Sequence, residues 1–284
     1  MNEEFNGGPD IDSNLASVEL YFDVKRIYKE LEELGYGKSD RLKVEDVNKV
    51  DSLHYFGSEA VDHAINLLDV RSNHRTLDVG SGLGGPARYI ASRTKCHVTA
   101  LELQEELHNA ASDLTSRCGL DSYVNHRCGD FLSVDVEGTH DFLFGWLVFL
   151  HIADKKSLFH NCYKALKPGG KVYAEDFFVK HPLSEDEDNL LQKHVYCPNL
   201  QSWDKYQEDL RQAGFTDIQM TDLTDDWTKY THDRLQSFVQ NRDRHVRVLG
   251  EATTQALQTF YAVVSGIFAG GNVGGARLVA TKPQ

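Results

Sequence analysis

The sequence predicts an α/β fold, a mostly parallel sheet with helices on both faces, and three observations predict it. Thr76-Leu77-Asp78-Val79 is a short apolar β-type run that breaks into a glycine-rich turn, Gly80-Ser81-Gly82-Leu83-Gly84-Gly85. Pro86-Ala87-Arg88-Tyr89-Ile90-Ala91 then has helical character, with proline suited to a first helical turn. β-type and α-type segments alternate from Thr76 to about Val179, the rhythm of a parallel sheet with helical crossovers. Finally, Lys167-Pro168-Gly169-Gly170 is a strong helix stop placed just before another apolar run.

Taken in order, residues 1–14 are acidic and contain Gly7-Gly8-Pro9, which predicts a frayed tail. Leu20, Val24, Ile27, Leu31 and Leu34 recur at helical spacing, so a helix is expected over about Leu15–Leu34 with Gly35 as its cap. A second helix is expected over Ser58–Val70, which makes residues 1–70 an N-terminal helical cap and 71–284 the main domain. Strands are expected at Thr76–Val79, His97–Leu101, Tyr123–Arg127, Asp141–Phe144 and Lys171–Asp176, with a helix at Lys155–Leu166. Ser184-Glu185-Asp186-Glu187-Asp188 reads as an acidic linker to a helix over Ser202–Ala213 and a strand near Phe215–Leu223. A long helical stretch, about Thr228–Phe268, precedes the turn Gly270-Gly271-Asn272 and a terminal strand Ala276–Thr281. Helices at about 225–268, inserted before a last strand, are suited to roof a ligand crevice. Neither an internal repeat nor a low-complexity tract is present.

The 284 residues suffice for one large domain with a sizeable cap. A net charge of −13 argues against nucleic acid as the main partner, because phosphate binding needs basic clusters. It leaves room for a small anion in a local basic pocket. Apolar runs fall short of the ~18 residues of a membrane span. Met1-Asn2-Glu3-Glu4-Phe5 lacks the basic and apolar regions of a signal peptide. Cys96, Cys118, Cys128, Cys162 and Cys197 are scattered without paired spacing, so the expectation is a reduced, cytoplasmic protein.

Several acids follow the strands in a fixed order. Asp78 precedes the glycine turn, where it would organise the turn and meet an amine. Glu102 closes the second strand, where a carboxylate matches the two hydroxyls of a ribose. Leu103 and Gln104 flank it beside an adenine edge, and Gly129-Asp130-Phe131 after the third strand suits an adenine amino group and ring face. Singly, each acid is as readily a solvated loop residue or a helix cap. The ordered set is more specific. Gly80-x-Gly82-x-Gly84 also spaces its glycines singly, whereas the dinucleotide fingerprint separates the second and third further.

With Leu166-Lys167-Pro168-Gly169-Gly170 before the fifth strand, this order resembles class I S-adenosylmethionine-dependent methyltransferases. The resemblance covers about Arg71–Val179 with specific motifs and extends more weakly to the end. It implies a Rossmann-like sheet with an antiparallel last strand and S-adenosyl-L-methionine as cofactor. It also implies that Gly80, Ser81 and Gly82 face the methionine moiety and Glu102 the ribose. Asp130 and Phe131 would hold adenine, and Gly145 would lie beside the cofactor.

On the acceptor side, Phe149-Leu150-His151 and Lys155-x-Ser157-Leu158-Phe159 are similar to small-amine N-methyltransferases acting on sarcosine, dimethylglycine and phosphoethanolamine. A methyl-accepting amine must be neutral, so a base near pH 7 is useful and His151 is the candidate. Its bland alternative is a helix-start histidine bonded to backbone. Phosphobase enzymes carry an arginine and an acid just upstream of that histidine, where this chain has Trp146 and Leu147. Their phosphate-site arginine has no clear counterpart beyond His194 and Lys193. Trp146, Phe149, Phe177 and Tyr196 suggest an aromatic pocket for a methylated ammonium, or core. His54-Tyr55-Phe56-Gly57 resembles the family's segment that closes over the cofactor, and Tyr55 and Tyr36 are candidate pocket hydroxyls or structural residues. His194-x-x-Cys197 has no second pair, so no metal is expected. Arg242-Asp243-Arg244-His245-x-Arg247 reads as a solvated helix face or an anion contact in the lid.

The expected function is therefore methyl transfer to a small molecule, with an amine nitrogen first. The rivals are an apolar acceptor of the sterol, quinone or tocopherol type, a cofactor-binding partner subunit without turnover, and, less well supported, a dinucleotide oxidoreductase. The sterol-type rival rests on Gly84-Gly85-Pro86-Ala87-Arg88-Tyr89-Ile90, which resembles sterol enzymes. Monomer and homodimer are both open.

Overall fold

The fold is described from a computed structural model, for residues 24–136 and 138–284. Among the described residues three helices precede the sheet: α1 (Arg26–Glu33), α2 (Val44–Asp51) and α3 (Gly57–Leu68). Alternating units follow: β1 (Arg75–Val79), α4 (Gly85–Thr94), β2 (His97–Glu102), α5 (Glu105–Arg117), β3 (Val124–Cys128) and β4 (His140–Trp146). A 3-10 turn (Phe149–His151), α6 (Lys155–Ala165) and β5 (Leu166–Val179) complete the parallel part. Beyond lie α7 (Glu185–Leu190), a π turn (Leu191–Val195), α8 (Trp203–Ala213) and β6 (Thr216–Asp222). The chain ends with α9 (Thr224–Gln240), α10 (Arg242–Leu249), α11 (Glu251–Gly270) and β7 (Val273–Thr281).

The strands form one seven-stranded sheet in the order β3-β2-β1-β4-β5-β7-β6. β1 to β5 pair in parallel, while β7 runs antiparallel to both of its neighbours. Strand order reverses between β1 and β4, so their carboxyl ends open a crevice, the usual ligand position in such sheets. The register sets that crevice: Val79 lies beside Leu101 on one side and Gly145 on the other. Apolar side chains pack on both faces. Leu77, Leu143, Val172 and Leu278 meet α6 and α8 on one face, and Val98, Phe144 and Tyr173 meet α3 and α4 on the other.

Several expectations are corrected or refined. The acidic run 184–188 is no linker. Ser184 and Glu187 form a reciprocal capping box that starts α7, and the acids favour the positive end of that helix. The stop at Lys167-Pro168-Gly169-Gly170 ends α6 at Ala165, yet the chain stays paired through it. Leu166 pairs with His140, and a bulge separates that pair from Phe142–Lys171. The helical stretch expected over Thr228–Phe268 consists of three helices, divided at Asn241 and again at Gly250, whose φ of +89 permits the turn. The arginines of α10 are not merely solvated: Arg244 bonds Glu30 at 3.1 Å and Arg247 bonds Glu33 at 2.9 Å, tying α10 to α1. The first expected helix survives in part as α1, closed by Gly35 at φ +90; the portion before residue 24, like the expected tail at 1–14, lies outside the described residues.

Among the described residues no helix is long and apolar enough to cross a membrane. All five cysteines are free thiols.

Candidate functional site

At the carboxyl ends of β1, β2 and β4 lies a cleft enclosing about 950 Å³ up to its mouth. Its floor is the glycine turn. Gly80, Gly82 and Gly84 all have positive φ, at +62, +53 and +76, a region that a side chain disfavours. The turn is pinned by backbone bonds from Ser81 N–H to the Leu101 carbonyl (3.0 Å) and from Gly84 N–H to the Ser81 carbonyl (2.8 Å). Glu102 adds two more, accepting from Gly82 N–H at 2.8 Å and Gln104 N–H at 2.9 Å. Burial holds its pKa above the usual value, and those backbone N–H groups oppose the shift.

Three polar groups along this cleft are buried without a hydrogen-bond partner among the described residues: both Asp78 carboxylate oxygens, the Ser81 hydroxyl and the Trp146 indole N–H. Buried polar groups are ordinarily bonded, so convergent orphans mark a ligand position. Asp78 is the sharpest case. Burial, with the neighbouring Glu102 charge, pushes its pKa up to about 8. At neutral pH it is therefore mostly protonated, and a cation placed against it would restore the carboxylate.

Of the other residues singled out by sequence, Leu103, Gln104, Asp130 and Phe131 line the same cleft. Asp130 also accepts bonds from Leu132 N–H and the Ser133 hydroxyl, both at 2.9 Å, and so caps the turn as well. Gly145 does not face the cleft. A Cβ there would sit 2.7 Å from the Phe149 ring, so this glycine admits Phe149 into the core. Phe149 itself is 1% exposed and lines neither cavity described here, which corrects its reading as a pocket wall. Trp146 belongs to the cleft, between Phe144 and His54, rather than to the acceptor side.

A second cavity of about 770 Å³ up to its mouth adjoins the first. The two share Leu53, Leu147 and His151. Tyr55 and Phe177 line it as expected; Tyr36, bonded to Asp46 at 2.6 Å, lies elsewhere. Tyr196 contributes its backbone: its left-handed φ of +53 turns the carbonyl toward His151, 3.0 Å from Nδ1. Only a protonated Nδ1 can donate to a carbonyl, so Nε2 carries the lone pair. Burial lowers the His151 pKa to about 4, so the ring is neutral at pH 7. The 3-10 turn bearing it is anchored from behind. Asp176 accepts from Leu150 N–H at 3.0 Å, and Lys155 donates to the Phe149 carbonyl at 2.8 Å. Lys193 and His194 line neither cavity.

Sequence reasoning missed Asp51 and Leu53, which with His54 close the cleft from the N-terminal side, and Arg234 and Tyr261 in the second cavity. The segment around His54 had carried a signal, but only its tyrosine was chosen. Arg234 and Tyr261 stand in amphipathic helices where nothing local distinguishes a cavity residue from a surface one.

Residues 77–174 match the family described as methyltransferase domain. The strand order, with that match, shows the class I methyltransferase fold. The domain is 30% identical to a phosphoethanolamine N-methyltransferase of Triticum aestivum, over 69% of this chain and 38% of that relative. It is 28% identical to a glycine/sarcosine/dimethylglycine N-methyltransferase of Actinopolyspora halophila, over 56% of this chain and 28% of the relative. The chain thus spans well under half the length of these curated relatives. Among solved structures, phosphoethanolamine N-methyltransferase 2 of Haemonchus contortus in complex with S-adenosyl-L-methionine shares the fold. Its TM-score is 0.81 at 22% identity, over 98% of this chain and 61% of that one.

Proposed function

We propose that this methyltransferase domain binds S-adenosyl-L-methionine in the cleft and methylates a small-molecule amine held in the second cavity. The observation that carries the reading is the junction: a cleft with an orphaned carboxylate meets a separate cavity at one neutral histidine. The residues of the cleft fit the cofactor. Asp78 receives its ammonium group, the Gly80–Gly82 backbone and Ser81 lie along its amino-acid portion, and Glu102 accepts from its ribose hydroxyls. Leu103, Gln104, Asp130 and Phe131 border its adenine. When bound, the cofactor supplies a methyl group on a sulfonium sulfur, open to in-line attack by an amine lone pair. His151 Nε2 accepts a hydrogen bond from the amine N–H and so aims that lone pair. Methylation would leave the nitrogen cationic, and His151 Nε2 or solvent would take up its proton. With a pKa of about 4, His151 acts more by orientation than by basicity. The helices before β1 and those of α9 to α11 serve as the cover. The free thiols favour a reducing, cytosolic setting.

Calorimetry with S-adenosylhomocysteine tests the reading, and its pH dependence gives a sharper check. Without ligand Asp78 is protonated below about pH 8; binding an ammonium requires the carboxylate, so binding releases a proton. Affinity therefore rises about tenfold per unit as pH climbs from 6 toward 8. Above pH 8 the rise levels off, because Asp78 is then already ionised without ligand. Titrations in buffers of different ionisation enthalpy should report close to one proton released at pH 6.5. Absence of binding at millimolar ligand overturns the proposal.

His151→Ala should lower kcat about 10²-fold while leaving S-adenosylhomocysteine affinity within twofold. An unchanged kcat in steady-state assays with labelled cofactor removes His151 from the chemistry. A protein that binds the cofactor but methylates nothing would instead be a partner subunit.

A further inference from the structure

The second cavity holds a cation that the small-amine reading does not use. Arg234, on α9, lines it together with Tyr261 of α11. Its Nη2 donates to the Tyr261 hydroxyl at 3.2 Å, and its guanidinium carbon stands 4.6 Å from the centre of that ring. The arginines of α10 each meet a carboxylate: Arg242 with Glu251, Arg244 with Glu30, Arg247 with Glu33. Arg234 meets none among the described residues; the charged or titratable groups that act on it are Tyr55, Tyr230 and Tyr261. A partly buried guanidinium that bonds a tyrosine and no carboxylate leaves several donors for an incoming anion.

Arg26 of α1 also lines the space, and the remaining walls are largely apolar. Leu150, Phe177, Val195, Leu257, Phe260 and Val264 surround the space, and the Thr231 hydroxyl is spent on the Trp227 carbonyl at 2.9 Å. A compact zwitterion with one methylene would leave these side chains unfilled and its own charges poorly solvated. Position matters as well. His151 stands where the cavity joins the cleft, whereas Arg234 lines only the second cavity. A single molecule reaching both would offer nitrogen at one end, an apolar body in the middle and a negative group at the other.

Resting on the methyltransferase reading above, we infer that the acceptor is an amphipathic acid, an amine joined through an apolar body to an anionic group bound by Arg234. Arg234 is then the residue that sets specificity, and the anion is a carboxylate or a phosphate monoester.

The test uses the whole chain saturated with S-adenosylhomocysteine, titrated with 8-aminooctanoate, its carboxamide and 8-aminooctyl phosphate. At least one acid should bind tenfold or more tightly than the carboxamide. Arg234→Gln should erase that difference, and Arg234→Lys, which keeps the charge, should retain part of it. Sarcosine should bind more weakly than the long acid. A gain confined to the phosphate assigns the anion as a phosphate monoester, and one confined to the carboxylate assigns a carboxylate. If neither acid exceeds the carboxamide, or if the preference persists in Arg234→Gln, the inference fails while the cofactor reading stands. If S-adenosylhomocysteine itself does not bind, the methyltransferase reading fails and the inference falls with it. Unaltered S-adenosylhomocysteine affinity in Arg234→Gln shows that the variant remains folded.

Discussion

Gly82→Leu is expected to leave the protein folded and to abolish S-adenosylhomocysteine binding, a loss of at least 10²-fold by calorimetry. Two magnitudes separate these outcomes. Gly82 sits at φ +53, so a side chain costs about 1–2 kcal/mol of backbone strain, a tolerable share of a typical stability of ~5–15 kcal/mol. A Cβ at this position meets one neighbour within 4 Å, Leu53 Cδ1 at 3.4 Å, so the side chain would extend into the open cleft rather than into packed protein. The ligand's place is then filled. Gly80 is the contrasting site, where a Cβ would sit 2.2 Å from Val148 Cγ2 and the turn itself would have to move. Gly80→Leu should therefore lose stability and binding together, whereas Gly82→Leu should lose binding with only a small drop in Tm. Affinity retained within tenfold in Gly82→Leu would place the cofactor elsewhere.

That contrast also shows what the sequence made legible. Period and punctuation carried the sheet: each expected strand from Thr76 to Asp176 lies within an observed strand or overlaps it, because apolar runs between glycine and proline breaks leave few alternatives. The first cleft was legible for the same reason, since its residues follow the strand ends in order and Asp78, Glu102 and Asp130 all line it. The second cavity was not. It is assembled from residues far apart in the chain, His151 with the Tyr196 carbonyl and Tyr55 with Arg234, and no local pattern encodes such meetings. Phe149 misled because an aromatic after a strand reads alike whether it faces the crevice or the core; only the close approach at Gly145 decides it. The capping box at Ser184 was present in the sequence as S-x-x-E and was passed over for the density of acid around it.

The helix that sequence reasoning missed, α2, carries the second large expectation. Its last residue, Asp51, forms an ion pair with Arg88 of α4, and both side chains are 0% exposed. Arg88 also donates to the Leu83 carbonyl at 2.6 Å, and to the Ala111 carbonyl and Thr115 hydroxyl, each at 3.2 Å. One guanidinium thus holds α2, the glycine turn and α5 together. Removing its counter-charge leaves a buried cation in place, which typically costs about 3–5 kcal/mol. Asp51→Ala should therefore lower Tm by roughly 10 °C. Asp51→Leu combined with Arg88→Met should recover much of that loss, because neither charge then remains to be desolvated. The two readouts separate stability from placement. If the pair serves only to fill the core, the double variant should bind S-adenosylhomocysteine normally. Arg88, however, bonds the carbonyl of Leu83 within the turn itself, and Asp51 lines the cleft. The double variant is accordingly expected to melt near the parent yet bind S-adenosylhomocysteine about tenfold more weakly. Parental affinity in that variant would show that the turn holds its shape without the pair.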